Sequence, residues 1–184
     1  MSEIKAVVFD WAGTVVDFGC FAPVQAFVSA FAEHNVEVTS AEAREPMGRA
    51  KRDHIEDMLA TPRIAKAWES VHGGPATQDD VEAIYNSYLP LNESCVGDFA
   101  DLIPGAAETM EWLRARDIKI GSTTGYTRSI MSILAPLAAK QGFEPESLVC
   151  SDDGFEGRPS PLGMYQSMVN LGVYPPKCVV NVYD

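Results

Sequence analysis

A chain of 184 residues with 46% apolar side chains is long enough for one domain, or one domain with a small insert, around a real core, and it does not read as a disordered chain. A formal net charge of -12 argues against nucleic acid as a partner, because phosphate-backbone binding needs clustered Lys and Arg, although a small anion can still be held by a local cation or metal. Cys20, Cys95, Cys150 and Cys178 are scattered without C-x-x-C or paired-His spacing, no apolar run approaches membrane-spanning length, and the first residues carry no signal-peptide pattern. The expectation is a cytoplasmic protein with no membrane contact.

Ala6 to Phe9 form a short apolar run, the pattern of a strand buried on both faces of a parallel sheet, and the run stops at Asp10. Gly13 and Thr14 mark a turn. Val24, Phe27, Val28 and Phe31 then predict a helix from about Pro23 to His34. Thr39-Ser40-Ala41-Glu42 reads as a capping box, and Pro46-Met47-Gly48 as the break after it. Further helices are expected with Ile55, Met58 and Leu59 inward, then with Ile64, Trp68 and Val71 inward after Thr61-Pro62. After Gly73-Gly74-Pro75, Thr77 to Asp80 caps a helix carrying Val81, Ile84, Tyr85 and Tyr88.

Past Pro104-Gly105 the pattern changes. A helix around Met110 and Leu113 leads to a strand over Ile118 to Thr123. Thr127 to Lys140 is helical, with Ile130, Met131, Leu134 and Leu137 inward and Pro136 expected to kink or shorten it. Leu148 to Cys150 is a short strand ending at Asp152-Asp153, which read as turn residues. Ser160 is the expected N-cap, with Pro161 at the first helical position, of a helix burying Met164, Met168 and Leu171 and closed by Gly172. Cys178 to Val182 is the last strand. The order describes an α/β fold, a doubly wound parallel-sheet core (1–20 and 100–184) with an all-helical domain inserted after the first strand (21–99).

In an open parallel sheet, ligands bind beyond the carboxyl ends of the strands, which is where Asp10 falls. An isolated Asp there is equally a turn or cap residue. The full string D-W-A-G-T-V-V-D, Asp10 to Asp17, resembles the first motif of the haloacid dehalogenase-like hydrolases. In that family the first Asp is a covalent nucleophile, and a second Asp two positions on is a general acid and base. Here that position is Ala12. The replacement, with Trp11 and the downstream Gly19-Cys20-Phe21-Ala22-Pro23, resembles the phosphonatase branch.

That resemblance implies the rest of the site. Pro46-Met47-Gly48-Arg49-Ala50-Lys51-Arg52-Asp53-His54 is similar to the branch's cap motif, with Lys51 at its imine-forming lysine and Met47 and His54 beside the substrate. Arg49 and Arg52 are positioned to press positive charge on the amine, which favours its reactive neutral form. Without the resemblance Lys51 is a solvated surface lysine. Thr124, Gly125 and Tyr126 fall on the second motif, which holds phosphoryl oxygens, and Thr124 is equally a residue of a strand-to-helix turn. Arg158 in Gly157-Arg158-Pro159 falls on the phosphate-balancing cation. Asp10, the backbone oxygen of Ala12 and Asp184 are the implied Mg²⁺ ligands.

The implied activity is hydrolysis of the carbon–phosphorus bond of phosphonoacetaldehyde. The implied assembly is a homodimer through the cap. The family's chains normally run on past the fourth core strand, so this chain is expected to be truncated there. An ordinary phosphatase or phosphomutase of the same superfamily, or a noncatalytic remnant, are the alternatives that the sequence leaves open.

Overall fold

Strand β1 (Ala6–Phe9) lies inside a four-stranded sheet with strands β2 (Lys119–Thr123), β3 (Ser147–Val149) and β4 (Val179–Val182), in the order β3-β2-β1-β4. The structure is a computed structural model that describes residues 4–183. All three pairings are parallel, with Val7 opposite Ile120 on one side and Val180 on the other, and Thr123 opposite Val149. Every carboxyl end therefore lies on one edge of the sheet. All four residues of β1 are buried, the burial that its unbroken apolar run predicts.

Helices α6 (Ala106–Arg114), α7 (Arg128–Lys140) and α8 (Leu162–Leu171) link the strands. Helix α8 packs against β2 closely enough that a Cβ at Gly121 would lie 2.4 Å from Ser167 Oγ. Glycine is what permits that approach. Pro136 does not end α7, which runs on to Lys140. Leu137 is only half-buried, and Ala138 takes the inward place beside Leu134. The N-cap of α8 is Pro161, with no side-chain cap, so the expected Ser160 cap is corrected by one residue. Gly172, at φ 64°, closes that helix as predicted.

The chain divides into two compact units. One holds the sheet and runs up to Cys20 and again from Gly97. The other, Phe21–Val96, is helical: α1 (Phe21–Glu33), α2 (Ser40–Arg44), α3 (Lys51–Ala60), α4 (Pro62–His72) and α5 (Gln78–Cys95). Its core is built from Phe27, Phe31, Ile55, Met58, Trp68 and Tyr88, among others. The predicted capping box of Thr39 with Glu42 forms, and the cap expected at Thr77 proves to be a second box, closed with Asp80. Val71 is 49% exposed, against expectation, because it stands on the last turn of α4, beyond the buried pair Ile64 and Trp68.

Candidate active site

Asp10 is the first residue beyond β1, and its backbone N–H donates to Val182 O of β4 at 2.9 Å. Its carboxylate accepts three hydrogen bonds. Trp11 N donates to Oδ1 at 2.8 Å, and Arg158 Nη2 and Nη1 donate to Oδ1 and Oδ2 at 2.7 and 2.8 Å. This is the two-pronged guanidinium–carboxylate pair that only Arg can form. Arg158 Nη2 also donates to Thr123 O at 3.0 Å, so the end of β2 aims the guanidinium at Asp10.

The turn after Asp10 is closed by one carbonyl. Trp11 O accepts the N–H groups of Thr14, Val15 and Val16 at 3.1, 2.9 and 3.2 Å. The fully buried Trp11 ring packs edge-on against Phe143, centroids 5.2 Å apart. Ala12 sits in this turn, next in sequence to the anchored indole.

At the end of β2, Thr124 Oγ1 accepts from Tyr126 N at 3.1 Å, which makes a tight turn through Gly125. Thr124 and Tyr126 are buried, and Ser151 N donates to Tyr126 O at 3.0 Å. The turn after β3 is braced by Asp152 and Asp153. Arg128 N donates to Asp152 Oδ1 at 2.8 Å, Arg128 Nε donates to Asp153 Oδ1 at 3.0 Å, and Cys150 N donates to Asp153 Oδ2 at 2.9 Å. Cys150, Asp152 and Asp153 lie within metal-holding distance of one another. Burial pushes the Cys150 thiol up to about 12, however, and Asp153 is taken by Arg128. Asp152 and Asp153 are turn residues, as the sequence suggests, while Cys150, expected in the strand, stands just beyond β3, which ends at Val149.

In the helical unit, Lys51 is the first residue of α3, after Ala50. Its Nζ lies 5.5 Å from the centroid of the Phe27 ring. His54, one turn on, is fully buried. His54 Nε2 is 3.0 Å from the Ala43 carbonyl, to which it donates, and Nδ1 has no hydrogen-bond partner among the described residues. Burial, with the positive charge of Lys51, pushes the imidazole down to about 3, so it is neutral at ordinary pH. Met47 is half-buried against the same core, in the turn that ends at Gly48, φ 93°.

The two arginines beside Lys51 are not bare charges. Arg49 pairs with Asp53 and Asp57, and Arg52 pairs with Glu82 and lies over the Tyr85 ring.

Asp10, Ala12, Thr124, Gly125, Tyr126 and Arg158 thus belong to the sheet unit, and Met47, Lys51 and His54 to the helical unit. Asp184 lies outside the described residues. Sequence reasoning missed Thr123, Phe143 and Phe27, whose apolar or hydroxyl side chains carry no chemical signature. The arrangement at the sheet edge is a carboxylate at a strand end with a guanidinium fork beside it.

The chain belongs to the haloacid dehalogenase-like hydrolases, whose family model matches residues 4–180. Among its relatives are proteins named phosphonoacetaldehyde hydrolase. It is 47% identical to the enzyme of Paraburkholderia phytofirmans, over 100% of this chain and 69% of that protein. It is 46% identical to that of Bacillus cereus, over 99% of this chain and 69% of the relative. Among solved structures, a phosphonoacetaldehyde hydrolase-like protein from Oleispira antarctica superimposes with a TM-score of 0.95 at 38% identity, covering 98% of this chain and 65% of that one. A hydrolase from Pseudomonas syringae, at 20% identity and TM-score 0.75, shares the fold. The chain thus spans about two thirds of the length of the relatives that it matches.

Proposed function

We propose that this chain carries out, or is the larger part of a protein that carries out, hydrolysis of phosphonoacetaldehyde to acetaldehyde and phosphate. The observation that carries the reading is the Asp10 carboxylate gripped by the Arg158 fork, with Ala12 where a phosphatase has its acid. The relatives' names support it.

In this reading the helical unit is the cap. The Lys51 amine adds to the substrate aldehyde and loses water to give an iminium. Asp10 attacks phosphorus, and Arg158 moves from the carboxylate to the phosphonate oxygens, where its two N–H groups offset charge. The C–P bond breaks, and its electron pair passes into the iminium as an enamine. A carbanion leaving group is thereby avoided, and no acid is needed at position 12. Water then cleaves the aspartyl phosphate, and the enamine is protonated and hydrolysed to acetaldehyde. Thr124 and Gly125 hold phosphoryl oxygens, while Met47, His54 and Tyr126 line the substrate.

The family implies a divalent metal. A carboxylate has about four lone-pair sites, and Asp10 uses three for N–H donors, so one is left for a hard cation. With the Ala12 carbonyl this all-oxygen set fits Mg²⁺, which takes few protein carboxylates. Asp184 is the further proposed ligand. Bound there, Mg²⁺ would neutralise phosphonate charge. The reading also places the protein in the cytoplasm, as a homodimer through the helical unit, with a small phosphonate rather than nucleic acid as its partner.

The test measures phosphate release from phosphonoacetaldehyde, with and without borohydride. Release that borohydride blocks, with an adduct absent from Lys51→Arg, is expected. Asp10→Asn should still form the adduct but release no phosphate. Release from a phosphomonoester but not from phosphonoacetaldehyde would make this an ordinary phosphatase instead.

A further inference from the structure

Three helices of the helical unit converge on one ring. Phe27 of α1 is fully buried. It stacks on His54 of α3, centroids 3.9 Å apart at 21°, and on Tyr88 of α5, 4.3 Å apart at 27°. Lys51 and His54 stand three residues apart on α3, so both side chains reach the same face. The Lys51 nitrogen, 5.5 Å from the Phe27 centroid, is within the range at which a ring's electron-rich face attracts a cation. Tyr88 is held in turn by Asn92, whose Nδ2 donates to the phenolic oxygen at 2.7 Å.

A packing role alone would be met by any large apolar side chain. Phe27 differs from Leu or Met in offering a quadrupole to whatever sits over it. Ionisable groups seen against the ring include Lys51, His54 and Tyr88, and His54 and Tyr88 are both uncharged at neutral pH. Arg49 and Arg52 are engaged by Asp53, Asp57 and Glu82. Lys51 is a cation whose nitrogen the structure places over the Phe27 ring.

We propose that Phe27 is a positioning residue for the Lys51 chemistry, its ring holding the nitrogen over one spot and favouring the cationic ammonium and iminium over their neutral forms. The inference rests on the imine reading of Lys51. It adds a reason for the electron sink to stay charged beside the buried Phe27 ring, since only the protonated iminium accepts the C–P electron pair.

The test replaces Phe27 with 4-fluoro-, 3,5-difluoro- and pentafluorophenylalanine in the full chain. These keep the ring's shape while weakening its electrostatic attraction stepwise. The readout is the rate of cyanoborohydride trapping with phosphonoacetaldehyde across pH, with thermal melts alongside. On the plateau above the pH midpoint trapping should slow by roughly two- to five-fold from first to last, in step with fluorine content, and the midpoint itself should move down. Phe27→Leu should trap as slowly as the pentafluoro variant.

Rates and midpoints that ignore fluorine content, or that follow the melting temperature instead, would leave Phe27 a packing residue. That failure is distinct from failure of the imine reading, in which the unsubstituted chain itself traps no adduct.

Discussion

Arg158 reaches Asp10 across 148 residues of sequence, and the contact is made by two parallel N–H groups. A lysine at that position would keep the charge and lose the fork. Arg158→Lys should therefore lower kcat/KM for phosphate release by roughly ten- to a hundred-fold, the loss of one or two charge-assisted hydrogen bonds. A steady-state assay checks it, and an unchanged value would remove the fork from the mechanism. Gly121 makes the opposite kind of demand, for absence. A methyl there meets Ser167 Oγ at 2.4 Å and Leu171 Cδ1 at 3.0 Å. Gly121→Ala should cost about 1–3 kcal/mol by urea denaturation. Adding Ser167→Ala, which removes the nearer atom, should restore part of that. Equal midpoints for Gly121→Ala and the parent would show that α8 shifts away freely.

Helix α3 is an element whose stability is tied to pH through one side chain. His54 is buried and neutral, at about 3 in the folded chain, against about 6.5 for an unfolded histidine. Between those values the unfolded chain binds a proton that the folded chain does not. Stability is complete above about 6.5 and falls as the pH drops through the window, by about 1.4 kcal/mol per unit. The helical unit should therefore loosen on mild acidification, well above the range where carboxylates titrate. Denaturant melts at pH 7.5, 6 and 5 would read the slope. His54→Gln, which keeps a donor for the Ala43 carbonyl and does not titrate, should flatten it. An equal slope in both proteins would move the acid sensitivity to another group.

Across the whole molecule, the sheet unit leaves apolar surface in solvent. β4 is an edge strand among the described residues, with Val180 39% exposed. Leu162, Tyr165 and Val169 form an outward stripe on α8, and Val169 is 72% exposed. Such patches drive association, while the net charge of -12 opposes it by repulsion that salt screens. Size-exclusion profiles should thus shift toward larger species between about 0.05 and 0.5 M salt, where the Debye length falls several-fold. Val169→Lys with Val180→Lys should suppress the shift. Salt-independent profiles in the parent chain would mean that these surfaces do not associate.

What the sequence determined by itself is what acts over a turn of helix or a strand. The spacing of Val81, Ile84, Tyr85 and Tyr88 places the inward face of α5, because side chains three and four apart share a face. Thr39 with Glu42 and Thr77 with Asp80 fix two helix starts, because each box closes within four residues. The apolar run before Asp10 fixes β1, and with it the place of the carboxylate at the strand end.

Burial at the margins was decided otherwise. Val71 and Leu137 obey the period yet stand where a helix outruns or only skirts its core. The Arg158 fork on Asp10, the pairing of Arg52 with Glu82, and the ring of Phe27 beneath Lys51 are decided only in three dimensions. Each joins segments that no local hydrogen bond or apolar period connects, and chain entropy gives a sequence reader no bias toward one distant partner over another.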